Sequence, residues 1–294
     1  MASGFSEKYD GYLAVFEAAL KKQCDAFSDK SPRLKEAMTY SVMLGGKRVR
    51  PVTMLATADM LGVPQAEVMP FAIALEFIHT YSLIHDDLPA MDNDDFRRGK
   101  PSNHRVFGEA LAVLAGDGLL NAALDLCLAQ CFKGEKYVRA SKYISEAAGD
   151  GGMIAGQAAD VLWTDGDGDF TEEQLLFLYE NKTGKLLTAP FAVVSILADN
   201  RYFLELEEFG NSLGRLFQMT DDILDVKGDF AELGKTVGKD SEENRLTCVR
   251  LYGLEQAEIQ ADLCVDLCIL ALERMDADTS FLADLARFVR ERKK

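Results

Sequence analysis

An all-α fold is the expectation for this chain, and three observations predict it. Apolar residues recur every three or four positions almost throughout, as in "YLAVFEAALKK", "FAIALEFIHTYSLI", "LAVLAGDGLLNAALDLCLAQ", "LLTAPFAVVSILA" and "FLADLARFVRERKK". That is the period one buried helix face imposes. Strand signals are scarce. With 48% hydrophobic residues and only 7 prolines in 294, little interrupts long buried helices.

Boundary signals divide the pattern into a dozen or so helices joined by short loops. Ser31-Pro32 offers an N-cap followed by proline at the first helical position. Gly45-Gly46 closes one helix, and Gly62 with Pro64 closes another. Thr171 and Gln174 form a capping box. Longer irregular pieces fall at 92–104, 164–170 and 227–242. No linker, composition shift or short repeat divides the chain, so residues 1–294 are read as one domain. Asp165, Asp167 and Asp169 match the start of a calcium loop, but Phe170 and Leu176 stand where its turn glycine and bidentate glutamate belong. This piece reads as a solvated connection.

Composition excludes some functions. A net charge of −16 argues against nucleic-acid binding, which needs a basic face. An anionic substrate remains possible where cations or bound metal reverse the local sign. The six cysteines form no dense framework and read as reduced thiols of a cytoplasmic protein. Cys127/Cys131 and Cys264/Cys268 sit at helical spacing without the partners of a zinc site, and read as core thiols. The charged opening "MASGFSEKYDGYLAVFEAAL" is not a signal peptide, and stable membrane insertion is not expected.

Two acidic clusters carry the chemistry. In "LIHDDLPAMDNDD" the third aspartate, Asp92, follows Asp86 by six residues, whereas in "QMTDDILDVKGD" Asp225 follows Asp221 by four. The four-residue step puts Asp221 and Asp225 on one helix face, with Asp222 to the side. Each cluster ends an apolar helix, where the macrodipole disfavours carboxylates unless cations compensate. Mg²⁺ held by one or two carboxylates, with room for substrate phosphates, would do so. A six-residue step would turn Asp92 about 120° off the face of Asp86 on a regular helix. Pro89 lies between them, so a break near Leu88 is expected to return Asp92 to the site. Cations stand nearby in the sequence: Lys47 and Arg50 on a helix opening, Arg97 and Arg98 after the first cluster, Lys182 beside Thr183, and Lys235 and Lys239 on a Gly-rich loop. His79 lies two turns before Asp86.

The ordered set GGKRxRP, HxxSLIHDDLPxMDxDDxRRGxP, GQxxD (Gly156, Gln157, Asp160), NKTG, FQxxDDILD and GDxxxLGK resembles the short-chain trans-polyprenyl diphosphate synthases, bacterial farnesyl type. The similarity runs from about Phe5 to the closing "RFVRERKK". It implies antiparallel helices around a deep central cavity, a homodimer, and head-to-tail joining of an allylic diphosphate to isopentenyl diphosphate. By the same resemblance Asp86, Asp92 and Asp221 hold Mg²⁺, three ions with substrate bound, while Asp87, Asp222 and Asp225 act through water or as supports. Arg97, Lys182 and Lys235 take the allylic diphosphate, and Thr183 and Gln218 line the reacting region. Lys47, Arg50, His79 and Arg98 take the isopentenyl diphosphate.

Product length is a separate expectation. Ser82 and Tyr81, four and five residues before Asp86, lie about 6–7.5 Å below the metal site on a helix. The resemblance pairs an aromatic there with the two-residue insertion in farnesyl (C15) enzymes, so Tyr81 favours C15. In place of the family's GKxT or NKxT this chain reads "ENRLT" with Arg245, which leaves Arg245 outside the expected site. A terpene cyclase would lack the intact "DDILD". A non-catalytic subunit of a heteromeric synthase, which can carry Cys-x-x-x-Cys pairs, tends to lose one aspartate motif. Geranyl and geranylgeranyl products are the alternatives within the family.

Overall fold

The computed structural model describes residues 3–164, 170–227 and 246–292. Helices α1 (Ser3–Asp25), α2 (Pro32–Met43), α3 (Val49–Leu61) and α4 (Gln65–Asp86) lead into a hairpin of β1 (Phe96–Arg97) and β2 (Lys100–Pro101). Next come α5 (Asn103–Phe107), α6 (Glu109–Cys131), α7 (Glu135–Ala148), α8 (Met153–Thr164) and α9 (Glu172–Leu178). A π-helical turn, Tyr179–Gly184, then runs directly into α10 (Lys185–Leu197). The last helices are α11 (Phe203–Lys227), α12 (Cys248–Tyr252), α13 (Leu254–Glu273) and α14 (Ser280–Glu291). The expected all-α class is what the chain adopts.

The most apolar helices occupy the centre. Every residue of α10 from Leu186 to Leu197 is buried, as befits a helix apolar on all sides. Helix α4 packs against α1, α2, α3, α6 and α10, and α11 against α10, α13 and α14. Phe71, Phe77, Phe191 and Phe209 are fully buried, each contributing roughly 1.5–3 kcal/mol by burial. Phe191 and Phe209 join α10 to α11 edge to face, with centroids 5.0 Å apart. By length and composition α4 and α6 could each cross a membrane. Two thirds of the apolar window of α4 is buried within the bundle, but only one third of that of α6.

The boundary signals act as expected at most positions. Thr171 and Gln174 make both capping-box bonds, and Gly62 caps α3 in the left-handed conformation with φ 71°. Pro32 opens α2, although the Ser31 side chain makes no capping bond. Pro64 proves to be the N-cap of α4, so it opens that helix as much as it ends the last. All six cysteines are free thiols, five of them buried. The calcium-loop aspartates 165, 167 and 169, together with Lys235, Lys239 and Arg245, lie outside the described residues.

The hairpin was not foreseen, because two-residue strands carry no readable alternation. It pairs Arg97 with Lys100, and its loop residues Arg98 and Gly99 have φ 52° and 72°. Two successive positive φ values are what a type I′ hairpin turn requires. The turn has a functional consequence: neighbouring arginines leave the backbone in different directions.

Candidate active site

A cavity of about 340 Å³ is lined by Lys47, Arg50, His79 and Arg98, with Gly46, Glu76 and Phe217 beside them. The loop after α2, the start of α3, the middle of α4 and the hairpin turn thus converge on one space. Lys47 is not on the helix opening as expected. Helix α3 begins at Val49 behind Arg48, whose φ of 50° turns the chain there. Arg98 Nη1 donates to the Gly45 carbonyl, and a Cβ on Gly46 would come within 2.7 Å of Arg98 Cζ. Gly46 has φ 132°, a backbone conformation that side-chain-bearing residues rarely adopt.

The electrostatics of this cavity favour an anion. Burial, opposed by Glu76 and reinforced by Arg98, lowers Arg50 to about 10. Arg50 Nε is buried with no partner among the described residues. Burial first, and then Arg50, Arg98, Arg97 and Arg48, push His79 well below its ordinary value. Clustered cations and an unpaired buried donor cost free energy unless a ligand oxygen supplies the missing acceptor.

The first acidic cluster shows the expected break. Helix α4 ends at Asp86, Asp87 caps it, and tight turns follow through Leu88–Asn93, in which the Asp92 N–H donates to the Asp86 carbonyl at 2.8 Å. Backbone turns, and not helical periodicity, bring Asp92 back. Asp87 is buried and accepts from Arg97 Nε at 2.9 Å, with Arg97 also 3.6 Å from Asp94. The type I′ turn thus sends Arg97 to the acidic cluster and Arg98 to the cationic cavity. Burial is the largest influence on Asp86 and raises it to about 6. Lys182 and Arg97 oppose the rise, while Asp92 and Asp87 add to it.

The π-helical turn carries the next group. Its wide register, a local geometry frequent at functional sites, places Lys182 in an ion pair with Asp160. Gly156 makes that approach possible, since a Cβ there would lie 2.1 Å from the Lys182 amide nitrogen. Thr183 Oγ1 donates to Gln218 Oε1 at 2.9 Å, and Gln218 Nε2 donates to Asp222 Oδ1 at 3.1 Å. Asp222 Oδ2 accepts from the Tyr179 hydroxyl and from the Cys248 N–H at 2.8 Å. A smaller cavity is lined by Asp160, Tyr179, Lys182, Thr183, Gln218 and Asp222.

Burial divides the second acidic cluster differently from the expected face. Asp222 and Asp225 are both buried, while Asp221 is partly exposed. Saturated by three donors, Asp222 anchors the surrounding segments, which leaves Asp221 to turn outward. Sequence reasoning passed over Arg48, Tyr179 and Arg292, all contacts between segments far apart in the chain. Near the other end of the site, Tyr81 is buried, with its ring 5.7 Å from that of His85. Ser82 Oγ donates back to the His79 carbonyl at 2.9 Å.

The donor set suits Mg²⁺ more than a metal caged by protein alone. No cluster of three or more potential ligands that could hold an ion occurs among the described residues. The carboxylates are hard donors split between two segments, with a cationic cavity beside them. Mg²⁺ typically binds through one or two such carboxylates and completes its shell with water and phosphate oxygens.

An all-helical bundle with two acidic clusters and a separate cationic cavity suits a class of enzymes acting on diphosphates. The polyprenyl synthetase family model matches residues 31–273, and the chain belongs to that family. It is 42% identical over 282 residues to the farnesyl diphosphate synthase of Geobacillus stearothermophilus, covering 94% of each chain. It is 43% identical to the chloroplastic geranylgeranyl pyrophosphate synthase of Catharanthus roseus, covering 79% of this chain and 66% of that one. Among solved structures, the geranyltransferase of Helicobacter pylori complexed with magnesium and isoprenyl diphosphate superposes with a TM-score of 0.83. It shares 32% identity and covers 98% of this chain and 97% of that one.

Proposed function

We propose that this protein joins isopentenyl diphosphate head to tail to dimethylallyl and then geranyl diphosphate, giving farnesyl diphosphate. The observation that carries this reading is the divergence of Arg97 and Arg98. One hairpin turn serves both the acidic cluster, where an allylic diphosphate would bind, and the cationic cavity, where the second diphosphate would bind.

In this reading Lys47, Arg50, His79 and Arg98 hold the isopentenyl diphosphate, and the unpaired Arg50 Nε gains a phosphate oxygen. Asp86, Asp92 and Asp221 hold Mg²⁺, three ions when substrate is bound, and Arg97 and Lys182 orient the allylic diphosphate. Lys235 completes that set from outside the described residues. Mg²⁺ stabilises the charge that develops on departing diphosphate. The residues around it fix the two substrates close together and keep water from the allylic cation. Thr183 and Gln218, tied to each other, face that reaction space, while Asp87, Asp222 and Asp225 support it. The chain works as one domain and as a cytoplasmic homodimer. Helix α6, which leaves Leu114 and Leu128 exposed, is the apolar face available for the second copy. Leu128→Glu should halve the mass seen by sedimentation, and an unchanged mass would move the interface elsewhere.

Incubating the protein with isopentenyl and dimethylallyl diphosphates and Mg²⁺, then chromatographing the products, tests the whole reading. C15 is the expected product, and no prenyl product at all would refute the activity. A C20 product is the second reading, favoured by the similarity to the Catharanthus synthase. Tyr81 is the residue expected to decide between them, since it is buried and lies five residues before Asp86, about 7.5 Å along the helix. Its hydroxyl is buried without a partner among the described residues. Tyr81→Ala should therefore shift the main product to C20 or longer, and Tyr81→Phe should leave it at C15. An unchanged product in Tyr81→Ala would remove this ring as the floor.

His79 supplies a pH test of the cavity. Burial and the surrounding arginines hold its folded pKa well below the ordinary 6.5. It contributes stability above 6.5 that is lost as pH falls, because the unfolded chain then takes a proton that the folded chain refuses. A bound diphosphate reverses the local sign, so isopentenyl diphosphate should drive proton uptake at about pH 6. Imidazole ¹⁵N resonances should show His79 neutral in the free protein at that pH. A charged ring there would contradict the electrostatic account.

A further inference from the structure

We propose that Arg292 is a resident cation of the second acidic cluster: it holds Asp221 in the metal-free protein and must release it when a metal–diphosphate complex loads. The inference rests on the reading of Asp221 as a metal ligand. It concerns a residue to which neither the motifs nor the family resemblance gave a role.

Arg292 follows α14, yet its side chain is only 4% exposed. Its Nη2 lies 2.8 Å from Asp221 Oδ1 and donates to the Phe217 carbonyl at 2.6 Å. The guanidinium carbon sits 4.0 Å from the centroid of the Phe217 ring, within cation–π range. Phe217 is one helical turn before Asp221 and also lines the isopentenyl cavity. The guanidinium therefore stands between the proposed metal site and the proposed second-substrate site.

Its hold is incomplete. One nitrogen, Nη2, makes both bonds, while the buried Nε has no partner among the described residues. Asp221 is also the one aspartate of its cluster that is not buried, since Asp222 and Asp225 are enclosed. Before metal arrives, the enclosed Arg292 guanidinium is the positive charge that faces the Asp221 carboxylate. Metal loading at Asp221 is then an exchange of one cation for another, which links that site to the segment after α14.

Binding of Mn²⁺ together with inorganic diphosphate, followed by electron paramagnetic resonance without prenyl substrate, tests this apart from turnover. Arg292→Gln removes the competing charge and should tighten Mn²⁺ binding about tenfold, the scale of one charge-assisted hydrogen bond. Arg292→Lys keeps the charge but loses the fork and should fall between wild type and Arg292→Gln. If Arg292→Gln does not fold, Arg292→Lys carries the test. Unchanged or weaker Mn²⁺ binding in the folded variant would overturn the inference. Asp221→Asn should weaken binding and erase the effect of Arg292→Gln. If Asp221→Asn weakens binding while Arg292→Gln has no effect, only the exchange fails. If Asp221→Asn leaves binding unchanged, the assignment of Asp221 to metal fails with it.

Discussion

Asp86→Asn should reduce kcat about a thousandfold, the scale of losing a principal electrostatic contact in a transition state, while making the metal-free protein more heat-stable at neutral pH. The two effects share one cause. Asp86 ends α4, where the helix dipole repels a carboxylate, and burial lifts it from 3.8 to about 6 against the opposing pull of Lys182 and Arg97. A folded pKa above the unfolded one means that stability is full below about 3.8 and is lost as pH rises through about 6. Asparagine has the same shape and cannot ionise, so it escapes that loss. Melting temperature against pH, with and without Mg²⁺ and diphosphate, reads one half of the prediction and steady-state turnover the other. Normal turnover in Asp86→Asn would strike this residue from the metal site.

The same residue shows how far the sequence could be read. Three- and four-residue periodicity revealed the helices because each buries one face, or in α10 every face, and burial leaves its period in the residue order. The break after Asp86 was also legible, since Pro89 and a six-residue aspartate spacing are incompatible with continuous helix. What stayed hidden was whatever depends on contact between distant segments. The π-helical register at Tyr179–Gly184 has no pattern of its own and fits the close passage of Gly156 and Gly214 against it. The hairpin at 96–101 is too short to show alternation. Lys47 looked helical because GGKRVRP gives Lys47 and Arg50 a helical spacing, but Arg48 at positive φ separates them. The residues expected to hold isopentenyl diphosphate nevertheless line one cavity.

Arg48 itself should show the largest stability effect in the chain. In "GGKRVRP" it is the cation held by two carboxylates. Its side chain is fully buried, and its Nε donates to Glu17 at 2.8 Å. Nη1 donates to Glu76 at 2.7 Å, and Nη2 to the Val42 carbonyl at 2.6 Å. Burial pulls its pKa down, but Glu76 and Glu17 more than restore it, so the net shift is upward. Glu76 is buried as well, with its side chain 2% exposed. Arg48→Ala would leave that carboxylate enclosed without its main partner, a loss of about 3–5 kcal/mol, or on the order of 10 °C in melting temperature. Because Glu76 also lines the cavity and acts on Arg50, the unpaired carboxylate should turn its charge toward Arg50 and weaken isopentenyl diphosphate binding. The double replacement Arg48→Met with Glu76→Met separates the two effects. Removing both buried charges should recover most of the lost stability, since a buried pair is often replaceable by apolar packing. Its isopentenyl diphosphate affinity should then match or exceed that of the wild type, because no carboxylate opposes the bound anion. A double variant as unstable as Arg48→Ala would mean that Arg48 stabilises through its bond to Val42 and its packing, and not by neutralising Glu76.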